Sequence, residues 1–162
     1  MNTLLLPLSK FDGAELEHYL EYLRKTRNDS KHYMTRFCGE ITSDMQKSWY
    51  SNISENINPY IFIVGEHGVV FYPVGYGTVN IEDGSAMVTG VISQSERGNG
   101  YGRKLLTALV EEAKKIAQRV FLEVLETNTI GISLYESIGF VETNRDHDVI
   151  TMELKKWFPN LK

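Results

Sequence analysis

The run from Ser85 to Leu125 constrains the fold more than any other part of the chain. Ser85–Ser93 has the character of a strand. Over Gly100–Gln118, Leu105, Leu106, Leu109, Val110, Ala113, Ile116 and Ala117 recur at the 3.6-residue period of an amphipathic helix, with Glu111 and Lys115 spaced as an i, i+4 pair on the outer face. Val120–Leu125 is a strongly apolar strand that follows almost without a loop. A strand, a helix and a strand in this order make a right-handed crossover between parallel strands.

The flanking segments add antiparallel pairs. Thr3–Leu8 reads as a short strand, and Asp12 is placed to cap a helix over Ala14–Lys25 with Leu16, Tyr19, Leu20 and Leu23 on one face. A polar, partly aromatic link from Thr26 to Ile41 leads to Thr42 or Ser43, either of which caps a second helix through Asn52. Tyr60–Gly65, Val69–Ile81 and Ser85–Ser93, separated by the turn signals GEHG and EDG, read as an antiparallel meander whose middle strand Pro73 interrupts. A short helix over Thr129–Ile138 and a hairpin of Phe140–Arg145 with Val149–Leu154 complete the chain. The fold class is therefore α/β of the mixed kind: a central, mostly antiparallel sheet with one parallel strand pair, flanked by helices.

Composition narrows the setting. The 162 residues, 42% hydrophobic and 23% charged, suit a single domain spanning residues 1–162. No run approaches the ~18 to 20 apolar residues of a membrane span, and MNTLLLPLSKFDG lacks a basic region and a small-residue cleavage site, so the expectation is a cytoplasmic protein with no membrane partner. One cysteine, Cys38, and four scattered histidines (His18, His32, His67, His147) offer neither a disulfide nor a metal-ligand spacing, and no metal is expected. The net charge of −4 argues against nucleic acid as a partner. Its distribution is uneven: residues 97–119 hold six basic side chains against two acidic, and residues 28–92 hold seven acidic against three basic. The first segment suits an anion, the second a cation.

The basic segment opens with Arg97-Gly98-Asn99-Gly100-Tyr101-Gly102. Dinucleotide binding needs a third glycine where Arg103 or Leu105 stands, and a P-loop needs a glycine where Arg103 stands, so both patterns fail. Two readings remain. Backbone N–H groups converging at a helix N-terminus, with no side chains to block approach, make a cradle for a pyrophosphate. Alternatively, the glycines serve only the geometry of a strand-to-helix turn.

A second segment, LEVLETNTIGISLYESIGF at residues 122–140, bears on that choice. Together the two resemble the GNAT acyltransferase superfamily, through Arg97-x-x-Gly100-x-Gly102 and through Val124, Asn128, Leu134-Tyr135 and Gly139-Phe140. The resemblance implies the GNAT fold, with the parallel strands splayed and the pantetheine arm of acetyl-CoA lying between them. It implies that backbone groups of Val91 and Ile92 pair with pantetheine, and that the N–H groups from Gly98 through Asn99, Gly100 and Gly102 to Arg103 hold the pyrophosphate. Arg97, Arg103 and Lys104 would add positive charge. Asn128 would bind the pantetheine arm or order the start of its helix, and Tyr135 would protonate the departing sulfur. Bottom-up, a lone helix tyrosine is more often a core residue.

The implied reaction is direct attack of an amine on the thioester of acetyl-CoA, with no covalent enzyme intermediate and no metal. Some relatives carry a glutamate where Ala86 stands, which leaves Glu82, Glu123 and Glu126 as candidate bases. Trp49, Tyr50, Tyr60, Phe62, Phe71, Tyr72 and Tyr76 are candidates for either an acceptor pocket or the core. The expected acceptor is a small-molecule primary amine, with a peptide N-terminus of the ribosomal-protein type as alternative. A CoA-binding sensor without activity is the reading from another class, and a homodimer stays open.

Overall fold

The computed structural model describes residues 2–66 and 70–155. Its strands and helices run β1 (Asn2–Pro7), α1 (Gly13–Asp29), α2 (Ser43–Ser51), β2 (Ile57–Glu66), β3 (Val70–Glu82), β4 (Ser85–Ile92), α3 (Tyr101–Lys114), β5 (Arg119–Leu125), α4 (Thr129–Ile138), β6 (Phe140–Asp146) and β7 (Val149–Leu154). This is the order read from the sequence. His67, Gly68 and Val69, expected in the first hairpin turn and at the start of the next strand, lie outside the described residues. The seven strands form one sheet in the order β1-β2-β3-β4-β5-β7-β6. Every neighbouring pair is antiparallel except β4 with β5. Among the described residues no helix is long and apolar enough to cross a membrane.

Strand periodicity divides the core between the two faces of the sheet. Successive side chains of a strand point to opposite sides. On β2, Tyr60, Phe62 and Val64 join the cluster beneath α3, with Leu105, Leu109 and Val110, while Ile61 and Ile63 join Leu8, Leu20 and Leu23 beneath α1. β4 divides likewise, Ala86 and Val88 toward α3 and Val91 toward α1.

Four local readings are corrected. β3 runs unbroken through Pro73, because the register shifts so that Phe62 faces Gly75 and Ile63 faces Pro73, which leaves Val74 as a bulge. A bulge tolerates a residue that has no N–H to give the ladder. α3 stops at Lys114, so Ile116 lies beyond it and is 53% exposed. The pairs on its outer face are Glu111 with Lys114 at 3.1 Å and Glu112 with Lys115 at 2.7 Å rather than Glu111 with Lys115.

The fourth correction is the length of α1, which continues past Lys25 to Asp29. Its last turn is polar in sequence and buried in fact: Thr26, Arg27, Asn28 and the following Ser30 are all buried. They are covered by the link that follows. Arg27 donates to the carbonyls of Phe37 and Gly39 and lies over the Phe37 ring. Asn28 grips Ile41 in both directions, donating to its carbonyl at 2.8 Å and accepting from its N–H at 2.9 Å. Thr42 follows at once as the α2 cap, accepting from the Met45 N–H at 3.2 Å.

Helix α3 seats close to the sheet over Gly77. A Cβ at that position would stand 2.5 Å from Leu109 Cδ1 and 2.8 Å from the Thr89 carbonyl oxygen. Gly77→Ala should therefore cost about 1 to 3 kcal/mol, the range of an overpacked core. Urea unfolding monitored by circular dichroism checks this, and an unchanged midpoint would mean that α3 does not press on β3 here.

Candidate active site

β4 and β5 pair over only three positions, Ser85 with Arg119, Ala86 with Val120 and Met87 with Phe121. Beyond them β4 pairs only with β3, as far as Ile92, and β5 only with β7, as far as Leu125. The two strands diverge, and the wedge between them opens into a cleft of about 910 Å³. Its walls include Val88–Ile92 on one side and Leu122–Val124 on the other, with the first turns of α3 and α4 above. Buried backbone groups seek partners, so the edge of β4 inside the wedge suits an extended, amide-bearing ligand.

Gly98, Tyr101 and Gly102 of the turn into α3 line the same cleft. Gly98 and Gly100 sit at φ +82° and +80°, the left-handed region where glycine is unstrained. A Cβ at either would meet nothing within 4 Å, so the surface over this turn is open. Among the described residues no side chain caps α3, whose first N–H groups are left for an anion. A pyrophosphate fits such a cradle.

The expected binding residues divide. Val91, Ile92, Arg97, Gly98, Gly102 and Asn128 line the cleft, whereas Asn99, Gly100 and Arg103 do not. The Arg97 guanidinium donates to the Ile92 carbonyl at 3.2 Å and to Ser30 Oγ at 2.7 Å, and stands 5.4 Å from the centre of the Tyr33 ring. It thereby ties the α3 turn to the end of α1. Arg103 donates to Ser137 Oγ at 2.5 Å, joining α3 to α4. Asn128 caps α4, its Oδ1 accepting from the Gly131 N–H at 3.0 Å. A Cβ at Gly131 would stand 2.7 Å from Asn128 Nδ2, so the glycine makes room for the cap.

Tyr135, on α4, also lines the cleft. Its ring meets Phe140 edge-on at 6.4 Å and packs against the α3-side core. Burial alone pushes its hydroxyl above the usual phenol value near 10, so the group is protonated at neutral pH. Among the described residues nothing hydrogen-bonds to it.

Of the acids considered as bases, Glu123 alone lines the cleft. It accepts from Arg36 at 2.9 and 3.1 Å and from Thr35 Oγ1 at 3.0 Å. Arg36, then Thr35, hold its carboxyl below the ordinary range against the opposing effect of burial. Glu82 also pairs with Arg36, at 2.8 Å, and Glu126 pairs with Arg145 at 3.0 Å. Ala86 is fully buried beneath α3 and does not reach the cleft. Of the aromatic candidates, Trp49 and Tyr76 line it, Tyr60 and Phe62 belong to the core, and Phe71 and Tyr72 are exposed. Cys38 is exposed, donates to the Met34 carbonyl at 3.2 Å and does not line the cleft.

Arg27, Arg36 and Gln46 line the cleft as well, and none of them stands out in the sequence. They fall in or beside a polar link, where only the folded chain brings them against the strands. One signal was legible: three polar residues closing an amphipathic helix call for partners if that turn is covered.

Residues 16–140 match the family model of the Acetyltransferase (GNAT) family, and the chain belongs to that family. It is 37% identical over 73 residues to the uncharacterized N-acetyltransferase YobR of Bacillus subtilis, covering 44% of this chain and 30% of that protein. It is 27% identical over 107 residues to the L-methionine sulfoximine/L-methionine sulfone acetyltransferase of Salmonella typhimurium, covering 64% of this chain and 62% of that one. The chain thus spans under two thirds of the length of these relatives. In fold it is similar to the spermidine N-acetyltransferase of Vibrio cholerae, solved in complex with CoA and spermine, with a TM-score of 0.76, 17% identity and 94% of each chain covered.

The Arg36–Glu123 pair sets a pH dependence. A carboxyl whose value is lower folded than unfolded contributes stability that is complete above its unfolded value and is lost as pH falls through the folded one. The unfolding midpoint should therefore drop as pH goes from about 5 to about 3, starting near the ordinary glutamate value of about 4.3. In Glu123→Gln that drop should be shallower. Thermal melts across this range check it, and parallel curves for the two proteins would show that the pair carries none of the dependence.

Proposed function

We propose that this chain transfers the acetyl group of acetyl-CoA to the primary amine of a small molecule by direct attack. The observation that carries the reading is the convergence of three features on one cleft: the unpaired edge of β4, the uncapped N-terminus of α3 and the half-buried Tyr135, whose hydroxyl has no hydrogen-bond partner among the described residues. Acetyl-CoA supplies an activated acyl thioester. The amides of the α3 turn, at Gly98 and Gly102 foremost, hold its pyrophosphate, and Val91 and Ile92 offer main-chain groups to its pantetheine arm. Arg97 acts here by positioning the turn through Ser30 and the Ile92 carbonyl. Asn128 orders the α4 start and so places Tyr135.

The acceptor amine must be neutral to attack, and alkylamines lie near the lysine value of about 10.4, so a proton has to leave first. Glu123 is held too acidic to serve as a strong base, so the attacking species is the fraction of amine already neutral at the working pH, which grows as pH rises toward the amine's own value. As nitrogen bonds to the carbonyl carbon and the carbon–sulfur bond breaks, Tyr135 gives its proton to sulfur and recovers one from solvent. A small acceptor is favoured over a peptide because the segment around Tyr33–Phe37, together with Met45, Gln46 and Trp49 of α2, walls the acceptor half. The names of the Salmonella and Vibrio relatives, on an amino-acid derivative and on spermidine, agree with that class.

Gly98→Asp would set a negative charge over the pyrophosphate cradle, and acetyl-CoA affinity measured by calorimetry should fall at least about tenfold, near 1.4 kcal/mol. Tyr135→Phe keeps the ring and removes the hydroxyl. With an amine that wild type turns over, thiol release should drop about 10- to 1000-fold while acetyl-CoA binding holds, the mark of an interaction made in the transition state. Wild-type turnover in that variant would make Tyr135 a packing residue. Thiol release at background with every amine of a broad panel would identify a binding protein instead.

A further inference from the structure

The charges around the cleft differ from those of the segments that form it. The charged residues lining it are Arg27, Arg36, Arg97, Glu96 and Glu123. None of the seven acids between Asn28 and Ile92 is among them, so the acidity of that segment does not reach the acceptor half. Arg36 is balanced by Glu82 and Glu123. Arg27 is not balanced: it is 8% exposed, it donates only to the Phe37 and Gly39 carbonyls and to Asn28, and among the described residues no carboxylate pairs with it. Carbonyl dipoles solvate a cation without cancelling its charge, and little water screens it at this depth. Its field acts on Tyr76, which also lines the cleft and pairs across the sheet with Val91.

Gln46 supplies a second, independent observation. It is 7% exposed, lines the cleft and, among the described residues, has no hydrogen-bond partner for its side-chain amide. That amide is not sealed in, since its atoms are absent from the side-chain polar atoms cut off from solvent without a partner. It therefore opens into the cleft. Its place is held firmly, because Asn28 clamps Ile41 from both sides and Thr42 caps α2 one turn before it. An amide fixed by its neighbours, in touch with solvent and without a protein partner is available to a ligand.

We propose that the acceptor amine carries a carboxylate, which takes the N–H of the Gln46 amide within the field of Arg27, and that its uncharged side chain packs on Met45 and Trp49. The acceptor class is thus an apolar α-amino acid rather than a polyamine, whose several positive charges would meet Arg27 unpaired. This rests on the acetyl-transfer reading above, and Gln46 is the specificity-determining residue within it.

The test measures calorimetric binding to the full chain saturated with CoA, using L-methionine, its decarboxylated amine and spermidine as probes, beside thiol release with the same amines. L-methionine should bind at least about tenfold more tightly than either amine. Gln46→Glu, equal in shape and carrying the same negative charge as the ligand's carboxylate, should weaken L-methionine at least about tenfold and weaken neither CoA nor the decarboxylated amine. Gln46→Met, which needs no buried charge, should weaken L-methionine several-fold in a chain that still binds CoA. Spermidine or the decarboxylated amine binding as well as L-methionine, or both variants binding L-methionine like wild type, would overturn the inference. The expected order of binding with no thiol released would sink acetyl transfer and leave this subsite standing. Thiol released best with spermidine would do the reverse.

Discussion

The parting of β4 and β5 after three residue pairs is the constraint on which the rest depends. A parallel pair that stayed in register would bury its ladder bonds and leave no room for a ligand. By diverging beyond Met87 and Phe121, the strands keep a stretch of main chain unpaired within the fold. Such groups are costly when dry, so the wedge has to be filled by water or by a ligand that can replace a strand. The surrounding elements keep it open. β3 and β7 hold the outer edges of the two strands, and α3, seated on Gly77, holds β4 from above. The crossover that begins and ends at this wedge delivers its helix N-terminus to the wide end, where an anion would lie.

A second support comes from polar burial. Arg27 and Asn28 each make two hydrogen bonds to the main chain of residues 37–41, and Arg36 bridges Glu82 at the end of β3 to Glu123 on β5. The link between α1 and α2 is thus bonded at several points and becomes a wall of the cleft. Arg97 closes the circuit by joining the α3 turn to Ser30. The turn into α3 and the wall formed by the link are therefore connected through few side chains.

Much of the fold was legible because periodicity and punctuation are local. The apolar rhythm of α3 as far as Ala113 and the limits of α4 follow from neighbours a few residues apart, and the structure places both as read. Where the reading slipped, tertiary contacts had overridden a local rule. Pro73 breaks a regular ladder but fits a bulge. The polar end of α1 reads as the start of the link, yet it stays helical to Asp29 because the link folds back and bonds it. Ile116 continues the helical pattern in sequence, yet the chain turns toward β5 before that position can join the helix.

The sequence by itself determined the element order, the parallel crossover and the glycine-rich turn with its Asn128 and Tyr135 companions, because each depends on spacing along the chain. It also set the family, through two motifs at a fixed separation. Only the tertiary structure decided which charges line the cleft. Seven acids between residues 28 and 92 suggest a cationic ligand when read as a string, but folding turns them away from the cleft and leaves Arg27 there without a carboxylate. Gln46 is one polar helix residue among others until α1, the link and β4 close around it. Field and burial depend on distances through space between residues remote in sequence, and those distances exist only once the chain has folded.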